Sequence, residues 1–177
     1  MFDGHGKLGH TVAQEVVERF PVEHENVISI EDYDRNDFAI RKALNETFLE
    51  INSNGTASTF SLGGCTASIS LRWGSKLYMA NAGDSQIIVQ QRTPEGMITK
   101  VEYSTRRDKA NLPDERARIE GLGGKIHVNA NGFDPRVIIY SEAAKDTIGL
   151  AMSRSLGDWE WKSVGVFAEP IVDIIDL

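Results

Sequence analysis

The segment TASISLRWGSKLYMANAGDSQIIVQQ, residues 66–91, decides the fold class of this chain. Its first part alternates polar and apolar side chains, which is the period of two expected for a half-buried β-strand. Two turn sequences, Gly74-Ser75 and Gly83-Asp84-Ser85, interrupt the alternation and reverse the chain. With a further turn at residues 94–96, the pattern predicts an antiparallel meander from Thr66 to Tyr103, with strands at residues 66–73, 76–81, 86–91 and 97–103.

Helical spacing precedes the meander. Apolar residues recur every three or four positions over Gly9–Phe20 and Pro21 follows them, so a helix is predicted there. A second apolar stripe predicts a helix over Asp34–Ile51, and either Asp34 or Asn36 could cap its first turn.

A shorter helix and two strands are predicted after the meander. The helix begins near Pro113, a residue suited to the first helical position, and ends at Gly123-Gly124. Short strand patterns follow at Lys125–Val128 and Arg136–Tyr140. Because helices and strands are grouped rather than alternating, the sequence predicts the α+β class.

Composition narrows the possible partners and the cellular compartment. The 177 residues are 41% hydrophobic and 25% charged, which is typical of a globular domain. A net charge of −7 with scattered basic residues argues against nucleic acid or a membrane surface as the main partner. No apolar run reaches membrane-spanning length, no signal peptide is visible, and Cys65 is the single cysteine. A cytoplasmic or nuclear protein is therefore expected.

The tetrapeptide Asp3-Gly4-His5-Gly6 is the strongest candidate for chemistry. A carboxylate and an exposed carbonyl are hard oxygen ligands suited to Mg²⁺ or Mn²⁺. The neighbouring imidazole can act as a general acid near neutral pH. Asp-Gly is also a common turn sequence, so the tetrapeptide alone favours a simple turn.

Further motifs in a fixed order change this interpretation. Together they resemble the type 2C (PPM) family of metal-dependent serine/threonine protein phosphatases, whose members carry DGHGG, GSTA, ANxGDSR, DExxRIExxGG, LAxSRxLGD and AEPxV segments in the same order. The matching segments run through essentially the whole chain: residues 3–6 (DGHG), 64–67 (GCTA), 78–85 (YMANAGDS), 114–124 (DERARIEGLGG), 150–158 (LAMSRSLGD) and 168–170 (AEP).

The resemblance implies a fold and a chemistry. The fold would be a four-layer α-β-β-α sandwich of two antiparallel sheets with flanking helices. Two or three Mg²⁺ or Mn²⁺ ions would activate water for attack on a phosphoprotein substrate. Asp3 would bridge two metals, the Gly4 carbonyl would bind one, and His5 would protonate the leaving serine or threonine oxygen. Asp84 would be tied to a third metal, with its carboxylate within roughly 10 Å of that of Asp3. A monomer is expected for the complete domain.

Parts of the family pattern are missing. The family has a phosphate-binding arginine and a Glu-Asp pair before DGHG, and DGxWD and Asp-Asn segments after AEPxV; this sequence has none of them. Its usual Asp-His-Lys appears here as Arg107-Asp108-Lys109. Residues 1–177 are therefore predicted to be a partial catalytic domain, incomplete at both ends and inactive or weakly active.

Two other function classes remain open. One is a non-catalytic, phosphatase-like interaction module, and the other is an unrelated α+β binding domain. Structural roles are predicted for Asp158, as a turn residue or a support behind the metal ligands, and for Arg154, as partner of a buried carboxylate. Cys65 is predicted to be a small buried residue. If the chain were active, Asp158 and Glu169 would be the first additional residues to test.

Overall fold

A computed structural model describes residues 1–30, 36–131, 133–142 and 145–177, with side chains described except at 28–30. The helices are α1 (Gly9–Ile30), α2 (Asp37–Ser53), α3 (Ala57–Phe60), α4 (Pro113–Gly121) and α5 (Trp159–Lys162). The strands are β1 (Gly4–Gly6), β2 (Gly63–Cys65), β3 (Ala67–Trp73), β4 (Lys76–Ala82), β5 (Ile88–Arg92), β6 (Ile98–Ser104), β7 (Lys125–His127), β8 (Arg136–Ser141), β9 (Asp146–Leu150), β10 (Leu156–Gly157) and β11 (Ile171–Asp176). All paired strands are antiparallel, which confirms the α+β class.

The first two helices differ from their predicted bounds. The prediction that α1 ends at Phe20 is wrong, because the helix continues through Pro21 to Ile30. Proline removes one intrahelical hydrogen bond, but packing offsets the loss: the Phe20 ring meets the Phe48 ring of α2 edge-on, with centroids 5.5 Å apart. Asn36 caps α2, its side chain accepting a hydrogen bond from the Ala39 N–H at 2.9 Å. The alternative cap, Asp34, lies outside the described residues.

The predicted four-strand meander is wrong at its centre. β3 and β4 form one hairpin and β5 and β6 another, but β4 pairs on its second edge with β11, giving the order β11-β4-β3. The chain leaves the sheet after β4 because the following turn is held by a distant loop, with the Asp108 N–H donating to the Gly83 carbonyl at 2.9 Å. The buried strand β4 is thus free to pair with the apolar strand β11.

Two apolar cores organise the described part of the chain. The larger lies between α1, α2 and strands β2, β3, β4, β10 and β11, and the smaller lies where α4, α5 and strands β8 and β9 meet. The remaining sheets have the orders β1-β2-β10 and β7-β8-β9. Within the described ranges, no helix is both long enough and apolar enough to cross a membrane.

Candidate active site

Strand pairing brings the DGHG turn against the segment that follows β10. β1 pairs with β2 so that His5 lies opposite Gly64, and β2 pairs with β10 so that Gly64 also faces Gly157. Asp158 directly follows Gly157. Residues 153 positions apart in sequence are therefore neighbours across one short strand.

Glycine at position 64 makes this contact possible. A Cβ atom at Gly64 would lie 2.2 Å from Oδ2 of Asp158, far inside van der Waals contact. The DGHG turn also sits tightly on the start of α1, since a Cβ at Gly4 would lie 2.3 Å from the Gly9 carbonyl oxygen. The backbones approach so closely only because these positions lack side chains.

His5 and Asp158 form a side-chain pair. Nε2 of His5 lies 2.7 Å from Oδ2 of Asp158, and their side chains are 24% and 5% exposed. Asp158 is held in place from behind: its N–H donates to the Gly63 carbonyl at 3.0 Å, and its φ of 50° is a left-handed conformation that is costly for a non-glycine residue. The other ring nitrogen of His5, Nδ1, is buried and has no hydrogen-bond partner among the described residues.

The contact between Asp158 and His5 depends on strand pairing rather than on the local sequence. The motif Leu156-Gly157-Asp158 predicts that the aspartate is a turn residue or a support behind the metal ligands. It does start a short helix, as the N-cap of α5, but its carboxylate faces His5. Only the pairing of β1, β2 and β10 reveals this, and nothing in the local sequence indicates it.

A cavity of about 580 Å³ opens beside the pair. His5 and Asp158 form part of its wall, and Leu62, Met152 and Trp161 contribute apolar surface. Lys7, the residue after the DGHG turn, also lines the cavity. The histidine therefore borders this cavity, whereas Asp3, Gly4 and Asp84 do not line it.

Asp3 lies at the exposed start of the turn. Its backbone is fixed to Thr66, with the Asp3 N–H donating to Thr66 Oγ1 at 3.1 Å and the Thr66 N–H donating to the Asp3 carbonyl at 2.9 Å. Its side chain is exposed, as is Gly4. Thr66 Oγ1 also lies 2.8 Å from Ser85 Oγ, which connects the DGHG turn to the turn that carries Asp84. The predicted Asp3–Asp84 separation of roughly 10 Å stays a prediction.

Asp84 already has a cationic partner. Nζ of Lys109 donates to Oδ2 of Asp84 at 2.5 Å and to the Ala151 carbonyl at 3.0 Å. The Arg107 guanidinium donates to the Asp84 backbone carbonyl at 2.8 Å. The altered Arg107-Asp108-Lys109 loop is thus fastened directly to the GDS turn.

The described residues do not make a metal centre by themselves. Among them, no cluster of three or more His, Cys, Asp or Glu side chains could enclose an ion. Asp3 and the Gly4 carbonyl offer exposed oxygen atoms, but divalent cations require more ligands than these two. The metal roles of Asp3, Gly4 and Asp84 remain predictions.

Burial changes the pKa of two groups behind the site. Burial raises the pKa of the Cys65 thiol to about 12, which suits the predicted small buried residue and makes the thiol unreactive. Burial also lowers the pKa of Lys162 to about 8, although the nearby negative charge of Asp158 opposes the shift. The Lys162 ammonium donates to the Ser155 carbonyl at 2.7 Å.

A buried ionic cluster lies away from the cavity and confirms the interpretation of Arg154. Glu115 is fully buried, and its Oε1 accepts hydrogen bonds from Nε and Nη2 of Arg154 at 3.0 and 2.8 Å. Arg118 and Arg106 donate to the same carboxylate at 2.6 and 2.5 Å. Burial raises the pKa of Glu115, but the guanidinium groups of Arg118 and Arg154 outweigh it and hold that pKa below its ordinary value.

Comparison with known proteins decides the family. The family model for Protein phosphatase 2C matches residues 1–177. The chain belongs to the protein phosphatase 2C family. The motif-based resemblance is therefore confirmed over the whole sequence.

Relatives and solved structures of the protein phosphatase 2C family agree with this assignment. The chain is 31% identical to "Probable protein phosphatase 2C 34" of Arabidopsis thaliana, covering 97% of this chain and 51% of that protein. It is 32% identical to "Probable protein phosphatase 2C 64" of Oryza sativa subsp. japonica, covering 96% of this chain and 40% of that protein. The chain thus spans about half or less of the length of these relatives.

A solved structure shows the same fold. The serine-threonine phosphatase 2C of Toxoplasma gondii superposes with a TM-score of 0.75 at 18% identity, covering 99% of this chain and 62% of that one. The helices and antiparallel sheets described above therefore form part of a protein phosphatase 2C fold.

Proposed function

We propose that the protein removes phosphate from phosphoserine and phosphothreonine in other proteins, using water activated by Mg²⁺ or Mn²⁺. Family membership and the names of the relatives support phosphatase activity. We also propose that residues 1–177 alone are inactive or weakly active. A monomeric state and a cytoplasmic or nuclear location belong to the same proposal.

One observation carries the proposal: a histidine directly after the Asp3-Gly4 turn borders a cavity and is held there by a buried carboxylate. Nε2 of His5 lies 2.7 Å from Oδ2 of Asp158, and both residues line the cavity. A general acid must be fixed within reach of the reacting group, and this contact restricts the imidazole ring. A turn with no function would not require a strained, buried aspartate behind its histidine.

The residues of the chain have distinct roles in this proposal. The exposed Asp3 carboxylate and Gly4 carbonyl would contribute oxygen ligands to the metal site. A bound divalent ion would supply an acidified water and stabilise charge on the phosphoryl group. His5 would give the proton on Nδ1, the ring nitrogen that Asp158 does not hold, to the serine or threonine oxygen as it leaves phosphorus, and Asp158 would keep the ring in place through Nε2.

Ligand count is the reason for the low activity expected of the chain alone. Two oxygen ligands hold Mg²⁺ or Mn²⁺ weakly, because such ions bind tightly only with several. The described residues include no cluster that would complete the set. Metal binding at the DGHG turn is therefore expected to need ligands from outside these residues.

The test compares residues 1–177 with a longer protein, in which the family's segments before DGHG and after AEPxV are added at the two ends. The chain alone should hydrolyse p-nitrophenyl phosphate with Mn²⁺ no faster than its Asp3→Ala variant. The longer protein should be active, and Asp3→Ala should abolish that activity. Robust Mn²⁺-dependent turnover by the short chain that is lost in Asp3→Ala would contradict the ligand count.

The role of His5 has its own test in the longer protein. His5→Ala should slow hydrolysis of a phosphoserine peptide more than that of p-nitrophenyl phosphate, since nitrophenolate leaves without an acid's help. Equal losses on both substrates would argue against a general acid at His5.

The alternative of a non-catalytic interaction module is not favoured. The DGHG turn is intact, and the His5–Asp158 pair lies beside an open cavity. A module that had lost catalysis would have no need to keep these features together.

A further inference from the structure

The segment that carries His5 runs from outside the cavity into its wall. Asp3 and Gly4 do not line the cavity, whereas the next three residues, His5, Gly6 and Lys7, do. As the proposed general acid, His5 must face the oxygen that leaves phosphorus, and that oxygen belongs to the substrate peptide. The peptide is therefore expected on the cavity side of His5, away from the proposed metal ligands.

Lys7 contributes an unpaired positive charge to this wall. Its backbone is fixed, since the Lys7 N–H donates to the Leu62 carbonyl at 3.1 Å, and its side chain is exposed. Within the part of the chain that the structure describes, its ammonium group has no hydrogen-bond or ion-pair partner. The other charged groups of the wall have hydrogen-bond partners: His5 with Asp158, Arg136 with Asp134, and Glu160 with Ser141.

The lysine is a departure of this chain from the family segment. That segment is DGHGG, and Lys7 stands where it has its second glycine. A glycine offers no side chain to a ligand, whereas a lysine offers three N–H donors and a charge. The substitution therefore adds a recognition group two residues after the proposed general acid.

We propose that Lys7 selects phosphoprotein substrates that carry an acidic group within two residues of the phosphoserine, on the side of the peptide that enters this cavity. The Cα atoms of His5 and Lys7 are at most about 7 Å apart, and an extended peptide advances about 3.3 Å per residue. An anion that meets Lys7 is thus one or two residues from the phosphoserine. This inference rests on the proposed function for the position of the phosphoserine at His5.

The cavity wall strengthens the attraction between Lys7 and such an anion. Leu62, Met152 and Trp161 supply apolar surface to the same cavity, and low-dielectric walls concentrate the field of a nearby charge. One such charge pair is expected to tighten peptide binding by about three- to tenfold, and added salt should weaken the gain. An aspartate, a glutamate or a second phosphate meets the requirement.

The test measures binding of short phosphoserine peptides to residues 1–177 by NMR of ¹³C-labelled methionine methyl groups. Met152 lines the cavity and reports on binding there, whereas the buried Met79 and the exposed Met97 do not line it. A peptide with aspartate next to the phosphoserine should shift the Met152 signal with a Kd about three- to tenfold lower than the matching alanine peptide. Replacing the aspartate by a second phosphoserine shows which of the two anions binds more tightly.

Variants at position 7 isolate the charge. Lys7→Met and Lys7→Gly should bind the aspartate and alanine peptides equally, and Lys7→Arg should keep the preference for aspartate. Lys7→Glu should instead favour a peptide with lysine at that position. Lys125→Met is the matched control, because Lys125 is exposed but does not line the cavity, and it should behave as wild type.

The outcomes separate this inference from the proposed function. A Met152 signal that no peptide shifts would overturn the placement of the peptide in the cavity. Equal weakening of the aspartate and alanine peptides by Lys7→Met would overturn the selectivity, because Lys7 would then bind the phosphoserine itself. If the longer protein is inactive while Lys7 still discriminates between the peptides, the proposed function is contradicted and the recognition by Lys7 stands.

Discussion

Two carboxylates of this molecule, those of Glu115 and Asp158, are both buried and both paired, but they are paired in different ways. Glu115 is fully buried and accepts hydrogen bonds from three arginines. Asp158 has a strained backbone and a histidine partner whose second ring nitrogen has no partner in the described part of the chain. The Glu115 carboxylate is held by charged hydrogen-bond donors on several sides. The His5–Asp158 pair instead leaves one hydrogen-bonding nitrogen unused and borders a cavity.

The difference shows how a structural ionic cluster is told apart from a candidate reactive one. Glu115 ties α4 to the segment around Arg154 and is surrounded by guanidinium groups. Asp158 holds one side chain at the edge of an open space. Three of the described non-glycine residues, Asp134, Lys145 and Asp158, have a left-handed φ, and of these Asp158 lines the cavity. We therefore expect changes at Glu115 to affect stability and changes at Asp158 to affect chemistry.

The largest effect is expected for Glu115→Gln. The substitution removes the charge that three guanidinium groups share, and breaking a buried ionic cluster from one side costs about 3–5 kcal/mol. The free energy of unfolding from urea titration measures this loss. Glu120→Gln is the matched control, since Glu120 is exposed and pairs with the exposed Arg116, and should cost less than about 0.5 kcal/mol. Equal losses of unfolding free energy in Glu115→Gln and Glu120→Gln would show that the buried cluster contributes no more to stability than a surface ion pair.

A smaller effect is expected for Lys162→Met, which removes a half-buried charge behind Asp158. Because burial lowers the pKa of Lys162 to about 8, the unfolded chain binds more protons than the folded one between pH 8 and the ordinary value of 10.5. The lysine therefore destabilises the fold at pH 7, and this penalty declines as the pH rises through that range. Relative to wild type, Lys162→Met should be more stable at pH 7 by on the order of 1–2 kcal/mol.

The pH dependence distinguishes charge from packing at Lys162. The advantage of Lys162→Met should shrink steadily between pH 8 and 10.5 in urea titrations. Lys125→Met, at an exposed position, should show no such trend. A constant difference across the range would show that the substitution acts through packing alone.

Gly64→Ala tests whether the position of Asp158 controls the environment of His5. The added methyl group would lie 2.2 Å from the carboxylate, so Asp158 must move away from His5. The strain is expected to cost about 1–3 kcal/mol and to shift the NMR signals of the His5 ring. Gly121→Ala, which meets no atom within 4 Å, is the control and should leave the His5 signals unchanged. Unchanged His5 signals in Gly64→Ala would show that the added methyl group does not separate Asp158 from His5.

Much of the fold was predictable because its signals are local. The period-two alternation predicted the β3–β4 hairpin, and the helical spacing predicted α1 and α2. The predictions are wrong where contacts with residues distant in sequence determine the structure. α1 continues past Pro21 because Phe20 packs on α2, and β4 pairs with β11, which lies about ninety residues further along the chain.

The site was predictable to the same extent. The DGHG turn is one continuous segment, so His5 and Asp3 could be proposed from sequence together with the ordered family motifs. The pairing of His5 with Asp158 depends on three short strands meeting, and the engagement of Asp84 by Lys109 depends on a loop from another part of the chain. Such contacts carry no local pattern.

The most direct test of the account is the effect of Asp158→Asn on turnover of a phosphoserine peptide by the longer protein that carries the added family segments. Asparagine keeps the size of the side chain but loses the charge that holds His5. We expect kcat to fall by roughly tenfold or more, with the smaller loss on p-nitrophenyl phosphate that a weakened general acid predicts. Asp146→Asn, at the exposed start of β9, should leave both rates unchanged. A folded Asp158→Asn protein with wild-type turnover of the peptide would contradict the account, because Asp158 would then be a structural residue like Glu115.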